Sequence, residues 1–422
     1  MKQKDILLIV VVLLLVGIVK LFRGGEEIID RKEDSGRSFY EHVDSPHSFS
    51  FPPEDYSGIR RIVIDNPAGS LTVLPAEGEA VTLQSTLIVF HPSEKTAGEL
   101  QNRLKINRDP EPDGGLRISA TEAGVESVGR FRLDHTLWVP DGVFIDARTR
   151  HGDVEMAHVS ADLKLRHAFG SLDISEWTGN LDLEAENCKL ELVNVSGEQR
   201  IGARGCEITI QNADRLELVP RRCQVNLSGI RERVVISKAL LNRISIDNAA
   251  NVRILGSSDQ IGLDTVSGTT SIQDEFEDIE LINVTGDVSL ESKRSRMTLK
   301  NVNVGTLFAR CSYRDAEFSQ ISFQSARIEL HQSDLLLGLK EIGIGLDIDG
   351  VHSDVILNLP ESLTYSADVA AKMGEIVYAS DASFSETRER GLHRLSREIP
   401  GAVKLRVVTS YGDITIRKTE SQ

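Results

Sequence analysis

Aromatic side chains are scarce. They make up 5% of the 422 residues, and the two tryptophans, Trp138 and Trp177, stand isolated. A carbohydrate-binding face usually presents exposed Trp or Tyr, so the composition weakens a glycan-binding reading without removing it. Cysteine is scarcer still: Cys188, Cys206, Cys223 and Cys311, with no C-x-x-C pair. That spacing argues against a zinc ribbon or a thioredoxin-type redox site. Also missing are G-x-S-x-G, a phosphate-binding Walker loop, H-E-x-x-H, an EF-hand loop and the glycine-rich calcium repeat. No catalytic, cofactor-binding or metal-binding residue is therefore nominated, and the chain reads as a non-enzyme. Positive charge is in deficit, 48 Lys and Arg against 64 Asp and Glu, for a net charge of −16 and a pI near 5.2. This disfavours nucleic acid and anionic membrane surfaces as partners.

What the chain has is a repeat. Between His151 and Ala249 the pieces HGDVEM, FGSLDIS, NCKLELVN, GCEITIQN, RCQVNLSG and NRISIDNA follow one another. Their first apolar residues, Val154, Leu172, Leu190, Ile208, Val225 and Ile244, are spaced by 18, 18, 18, 17 and 19 residues. A near-fixed period of this length marks stacked units rather than one globular core. Within each piece apolar and polar residues alternate, as in a strand with one buried face. A second alternating run follows half a repeat later, at Leu163/Leu165, Leu181/Leu183, Leu216/Leu218, Val234/Ile236 and Val252/Ile254. The simplest solution is an all-β parallel β-solenoid (β-helix) of about 18-residue coils.

Such coils must stack. Fixing the backbone of one coil costs on the order of 20–35 kcal/mol. Four to six inward apolar side chains return only about 1.5–3 kcal/mol each. Hydrogen bonds and burial between coils supply the rest. From His151 to Leu359 there is room for about eleven coils, a rod on the order of 50 Å long.

The register sets two columns. Gly152, Gly170, Cys188, Cys206 and Cys223 lie two residues before the first apolar position, where small residues fit a tight corner. Asn194, Asn212 and Asn248 lie four residues after it; Asn tolerates turn conformations, and stacked amides can bond along the axis. The outward row Asp153, Ser171, Lys189, Glu207, Gln224, Arg243 is mixed, as in a solvated face.

The rest of the chain divides around this rod. After a short tail at 1–5, residues 6–22 form an apolar run spanning about 25 Å as a helix, the short end of a transmembrane segment. Lys20, Phe22 and Arg23 occupy the place of a signal-peptide cleavage site, so an uncleaved anchor is expected, with a cleaved signal as the alternative. The N-terminus is expected in the cytoplasm and the bulk in the periplasm or outside the cell, although basic residues flank both ends of the run. Residues 23–57 read as a flexible linker. Residues 58–150 read as a β region with one short helix from Ser93 to Leu104, capping the rod. Within it, RIVIDNPAGSLTVLP is expected to form a hairpin. Residues 360–422 read as a C-terminal β cap.

Three passages carry a resemblance: IRRIVIDNPAGSLTVLP; FRLDHTLWVPDGVFIDARTRHGDVEM, with its Val139-Pro140 turn and Gly152-Asp153-Val154; and VKLRVVTSYGDITIRK, with Gly412-Asp413-Ile414. On these the chain resembles the bacterial β-strand-repeat family named adhesins, a domain of unknown function, over roughly residues 58–418. The resemblance implies a β-strand-repeat fold. It implies no site residues, because the family has none established.

The remaining candidates have plain readings. The three cysteines in one inward column are expected as buried free thiols, with a disulfide or a metal site as less favoured alternatives. His151, His158 and His167 fall at different places around a coil. Asp153, Asp287, Asp354 and Asp413 each begin a strand after Gly or Ser, and around Asp153 the column is not acidic, which speaks against a stacked Ca²⁺ site. The functional expectation is a non-enzymatic, membrane-anchored solenoid acting as an adhesin or scaffold, meeting a protein or glycan partner at the cell envelope. Two other readings are a self-assembling envelope subunit and a carbohydrate-binding or carbohydrate-active β-helix protein.

Overall fold

The computed structural model describes residues 46–91, 93–111, 114–122, 131–378 and 384–419. The expected anchor at 6–22 lies outside them. Among the described residues no helix is long and apolar enough to cross a membrane.

The rod is a parallel β-solenoid. Val154, Leu172, Leu190 and Ile208 lie over one another in parallel register. The column continues through Val225, Ile244, Ile261, Ile279, Met297, Ala316, Leu335 and Val355. That makes eleven steps of 17 to 20 residues, slightly more variable than the expected 18. A second column, seen at Leu163–Leu181 and Leu216–Val234–Val252–Thr270–Val288, runs alongside. A short third side, seen at Trp177–Val195–Ala213, closes each coil. Inward residues of all three sides are buried, and alternate residues face out. Each buried Leu, Ile or Val contributes roughly 1.5–3 kcal/mol. The column form means that nearly all of this is gained between coils.

The ends are built by insertion. Arg61–Asn66 lies between Phe144–Thr149 and Gly115–Glu122, parallel to both. Leu71–Pro75 likewise lies between Val154–Ala157 and Phe131–Val139. These two strands do not form the expected hairpin; they are two sides of one coil. Gly69 shows why. It turns at φ 137, so close to the next layer that a Cβ would sit 2.1 Å from the Leu133 carbonyl oxygen. Asn-Pro-Ala-Gly supplies a corner here, not a reversal.

Antiparallel strands then cover the lower edge. Val81–Val89 pairs with Phe131–Val139, and Leu104–Pro110 with Gly115–Glu122. The helix Glu94–Arg103 connects them, N-capped by Ser93 as expected, and buries Ala97 and Leu100 in a small separate core. Order begins before residue 57, because His47–Ser50 and Glu54–Tyr56 pair antiparallel with Val81–Val89.

The upper end repeats the device. Val403–Ser410 lies between Leu335–Val351 and Tyr365–Lys372, and Ile414–Thr419 between Val355–Pro360 and Ile376–Tyr378. An antiparallel pair, Leu392–Arg397 and Ser385–Glu389, finishes the edge.

Candidate functional site

Each coil turns at two corners through a residue in the left-handed region. One corner series includes Glu176, Asn194, Asn212, Asn248, Thr265, Asn283 and Asn301, at φ 51 to 58. Asn adopts this conformation at little cost. The amides also bond along the axis: Asn194 to Glu176 at 2.6 Å, Asn212 to Asn194 at 2.8 Å, and Asn301 to Asn283 at 2.6 Å. The residue after each corner is apolar and buried, as at Trp177, Val195, Ala213, Ala249, Val266, Val284 and Val302.

The other series is different. It interleaves Asn187, Gly205, Ser258 and Gln332 with the bulky residues Phe169, Arg222, Leu241, Phe276, Arg294, Tyr313, His352, Tyr411 and Met373, at φ 51 to 85. Bulky side chains rarely adopt this conformation, which costs of order 1–3 kcal/mol per residue when it is strained. These side chains point outward: Leu241 is 51% exposed and Tyr411 56%. They pack on one another along the rod. His151 stacks on Phe169 at 5.1 Å and His352 on Tyr411 at 4.8 Å. The Arg294 guanidinium lies 5.2 Å over Phe276 and 5.9 Å over Tyr313.

Behind this ridge the lining is polar: Cys188, Cys206, Cys223, Asn242, Asp259, Ser295, Ser333 and Ser353, all buried. Their role is local. Cys206 Sγ and Cys223 Sγ donate to the carbonyls of Arg204 and Arg221, each at 3.3 Å. Ser333 Oγ and Ser353 Oγ donate to His331 and Val351 in the same way. Each bonds a carbonyl two residues back, and those of Arg221, His331 and Val351 also accept a backbone amide of the neighbouring coil, from Gly205, Tyr313 and Gln332. The four cysteines are free and buried. Cys188 Sγ and Cys206 Sγ are 3.5 Å apart. The contact with Cys188 pushes the Cys206 thiol up to about 11, and burial pushes Cys311 up to about 12. Such thiols are poor nucleophiles.

Next to the first residues of the ridge lies a groove of about 760 Å³, open to solvent. One outward row crosses it: Asp65, Arg148, Arg166 and Glu184 by strand pairing, then Gly202 and Val219. Beside that row stand Arg150, Ala168, Glu186, Arg204 and Arg221. The hollow exists because Ala168 and Gly202 place almost nothing where neighbouring coils place long charged side chains. Five arginines face three carboxylates. Arg166 pairs with Glu184 at 2.7 Å and Arg204 with Glu186 at 3.9 Å. Among the described residues, Arg148, Arg150 and Arg221 make no ion pair. Phe169, on its His151 stack, borders the groove.

The expected histidine positions separate. His151 is on the ridge, His158 is at the asparagine corner, and His167 is inside. His167 Nδ1 lies 2.8 Å from Thr149 Oγ1, and buried His135 repeats the motif with Ser85 at 2.9 Å. Burial holds both rings down at about 4, so they are neutral. Asp259 and Asp274 are also buried. Asp274 Oδ2 accepts from the Asp259 amide at 3.4 Å. A Cβ on Gly256 would sit 2.1 Å from Asp259 Oδ2 and 3.1 Å from Asp274 Oδ1, so both carboxyls crowd the space that this glycine leaves. Burial, then the charge of Asp259, pushes Asp274 up to about 7; burial also raises Asp259.

The strand-starting aspartates bind backbone. Asp153 Oδ1 accepts from the Ser171 amide at 2.9 Å, and Asp287 Oδ1 from the Thr306 amide at 2.8 Å. Toward the upper end, contrary to the reading around Asp153, acidic residues do stack: Asp315, Asp334, Asp354 and Asp413 form one ladder, each accepting from the next amide. Among the described residues no group of three or more His, Cys, Asp or Glu side chains could hold a metal ion.

Sequence reasoning named neither the groove nor the ridge. Its signal was present as outward residues recurring every 17 to 19 positions, but in rows other than the one beside the first apolar position.

The model of a family described as Toastrack DUF4097 matches residues 59–417. No curated protein matches the chain. Among solved structures, a candidate cell adhesion protein from Clostridium sporogenes aligns over 89% of this chain and 100% of that one, at 9% identity and a TM-score of 0.18. So low a score carries no argument here.

Proposed function

The chain belongs to the Toastrack DUF4097 family, and from that premise we propose that it is a non-enzymatic interaction module of the adhesin type. Its working surface is the aromatic corner with the groove beside it. Residues 6–22 anchor it in the membrane, and the rod stands outside the cytoplasm, facing a protein or glycan partner. The observation that carries this reading is the ridge itself. Phe276, Tyr313 and Tyr411 are large, outward and held in a conformation that folding alone would assign to Asn or Gly. A residue that costs stability and is exposed is best explained by what it touches. The alternative of end-to-end assembly has less support. The outermost strand, Ser385–Glu389, is fully exposed and charged, a composition that blocks edge pairing.

The test is site-specific photocrosslinking in native membranes. A photoreactive residue at Tyr313 is expected to give defined adducts, and one at Asn283 none. Equal yields at the two corners, or none at either, would remove the aromatic corner from the function. Alkaline extraction tests the anchor: the full chain is expected to stay with membranes, and a chain lacking residues 1–23 to be released.

A further inference from the structure

We infer that the groove binds an acidic polysaccharide, with Arg148, Arg150 and Arg221 taking its carboxylates. The inference rests on the reading above and names the ligand of the same surface.

Three observations converge. First, the net charge is −16, yet this hollow gathers five arginines, of which three pair with no carboxylate among the described residues. An exposed cation costs little where it is. Three of them around one cavity, on an acidic protein, form a local site for an anion. All five are arginine, and no lysine lines the groove. The planar guanidinium fork matches a carboxylate with two parallel bonds, which an ammonium cannot do.

Second, the groove is long and follows the axis. Its central row crosses six layers, on the order of 25 Å at the strand spacing. That suits an extended polymer better than a single small anion. The floor, where Ala168 and Gly202 face outward, leaves room for a chain to lie in it. Phe169 on the His151 stack offers an apolar surface at the rim, of the kind on which a sugar ring packs.

Third, the charge density selects among polyanions. Five arginines against three carboxylates leave a surplus of two. DNA carries one negative charge per about 1.7 Å, so along this length the groove would leave most phosphates unneutralised. Asp65, Glu184 and Glu186 would also repel them. A polysaccharide with one carboxylate per sugar presents charge sparsely enough to meet the free arginines and miss the acidic residues.

The experiment measures binding of the full-length chain, in a non-ionic detergent, to immobilised polygalacturonate. Its fully methyl-esterified form and double-stranded DNA serve as comparisons. Polygalacturonate is expected to bind, on the order of 40-fold more weakly at 300 than at 50 mM NaCl if three carboxylates are engaged. The esterified polymer and the DNA are expected to bind at least about tenfold more weakly than the acid. The triple variant Arg148→Ala/Arg150→Ala/Arg221→Ala is expected to lose at least about tenfold of the affinity with an unchanged thermal midpoint. The same three positions changed to Lys should recover only part of it. Full retention by the alanine variant, equal binding of the esterified polymer, or tighter binding of DNA would each overturn the inference. The crosslinking at Tyr313 is read separately. Adducts there without polygalacturonate binding would sink the ligand and leave the interaction module standing. Polygalacturonate binding without adducts would remove the aromatic corner from the working surface and leave the groove.

Discussion

At Asn283 and at Phe276 the backbone does the same thing. Both residues turn a coil through the left-handed region, at φ 54 and φ 85. At the asparagine corner, side chain and backbone agree. The amide suits the conformation, bonds the amide above it, and covers an apolar interior at Val284. At the aromatic corner the usual arrangement is inverted. Large apolar groups stand outside, while Cys, Asn, Asp and Ser line the inside and hydrogen-bond to nearby backbone carbonyls and amides. One corner is what a solenoid needs in order to stack. The other carries residues that stacking does not ask for, and on them the proposed function rests.

The sharpest way to break this contrast is at Gly170, which follows Phe169 at the aromatic corner. It sits at φ 146, and a Cβ would lie 2.1 Å from the Gly152 carbonyl oxygen. Gly170→Ala is expected to cost about 3 kcal/mol or more, read as a drop in the chemical-denaturation midpoint. A neutral result would mean that the corner is softer than its geometry.

Next in size is the buried carboxyl pair behind the ridge. Asp274 titrates in the fold at about 7 against an ordinary 3.8. A raised carboxyl pKa means that the charged form is disfavoured in the fold. Its contribution is therefore intact below about pH 3.8 and lost as pH rises through about 7. Asp274→Asn should gain on the order of 2 kcal/mol relative to wild type at pH 8, and much less at pH 4. His135 and His167 act in the opposite sense. Their folded values of about 4 lie below the ordinary 6.5. Their contribution is complete above pH 6.5 and is lost as pH falls toward 4. Thermal midpoints of the wild type across pH 4 to 8 should therefore pass through a maximum between those limits.

Asn283→Ala comes third. It removes the bond from Asn301 and the bond to Asp264 Oδ1 at 2.9 Å, and places Ala at positive φ. About 1–2 kcal/mol of destabilisation is expected, with no effect on crosslinking from Tyr313. Smallest is Phe276→Asn, which gives the aromatic corner the residue of the other. Relief of strain offsets the lost contact with Arg294, worth about 0.5–1 kcal/mol. Stability is expected to stay within about 1 kcal/mol of wild type while partner adducts fall. A large loss of stability would make the ridge structural and erase the contrast.

Much of the stacking was legible in the chain. Leu172, Leu190 and Ile208 recur with the period of a coil and alternate with the period of a strand, and only parallel stacking serves both. The Asn column was legible for the same reason, since its chemistry names its conformation. The hairpin at 62–73 was misread because Asn-Pro-Ala-Gly turns a chain without saying by how much. The inserted layers were hidden because the register jumps there: Leu71 pairs with Val154, and Val355 with Ile414. No local period reports such a step. The groove escaped because it is made partly of small residues, Ala168 and Gly202, whose meaning depends on the arginines of other coils. The ridge escaped because one aromatic in a coil looks solitary until the corners are superimposed.

The placement of Val403–Ser410 and Ile414–Thr419 beneath strands synthesised earlier bears on biogenesis. Residues 365–378 emerge first, yet their floor does not exist until residues 403–419 follow. While the polypeptide is being made, the upper end of the rod must wait with a gap one strand deep. A chain broken off before residue 403 would lack an internal storey rather than its roof, and would present proteases with two unmatched edges. Docking of residues 403–419 therefore closes both edges together.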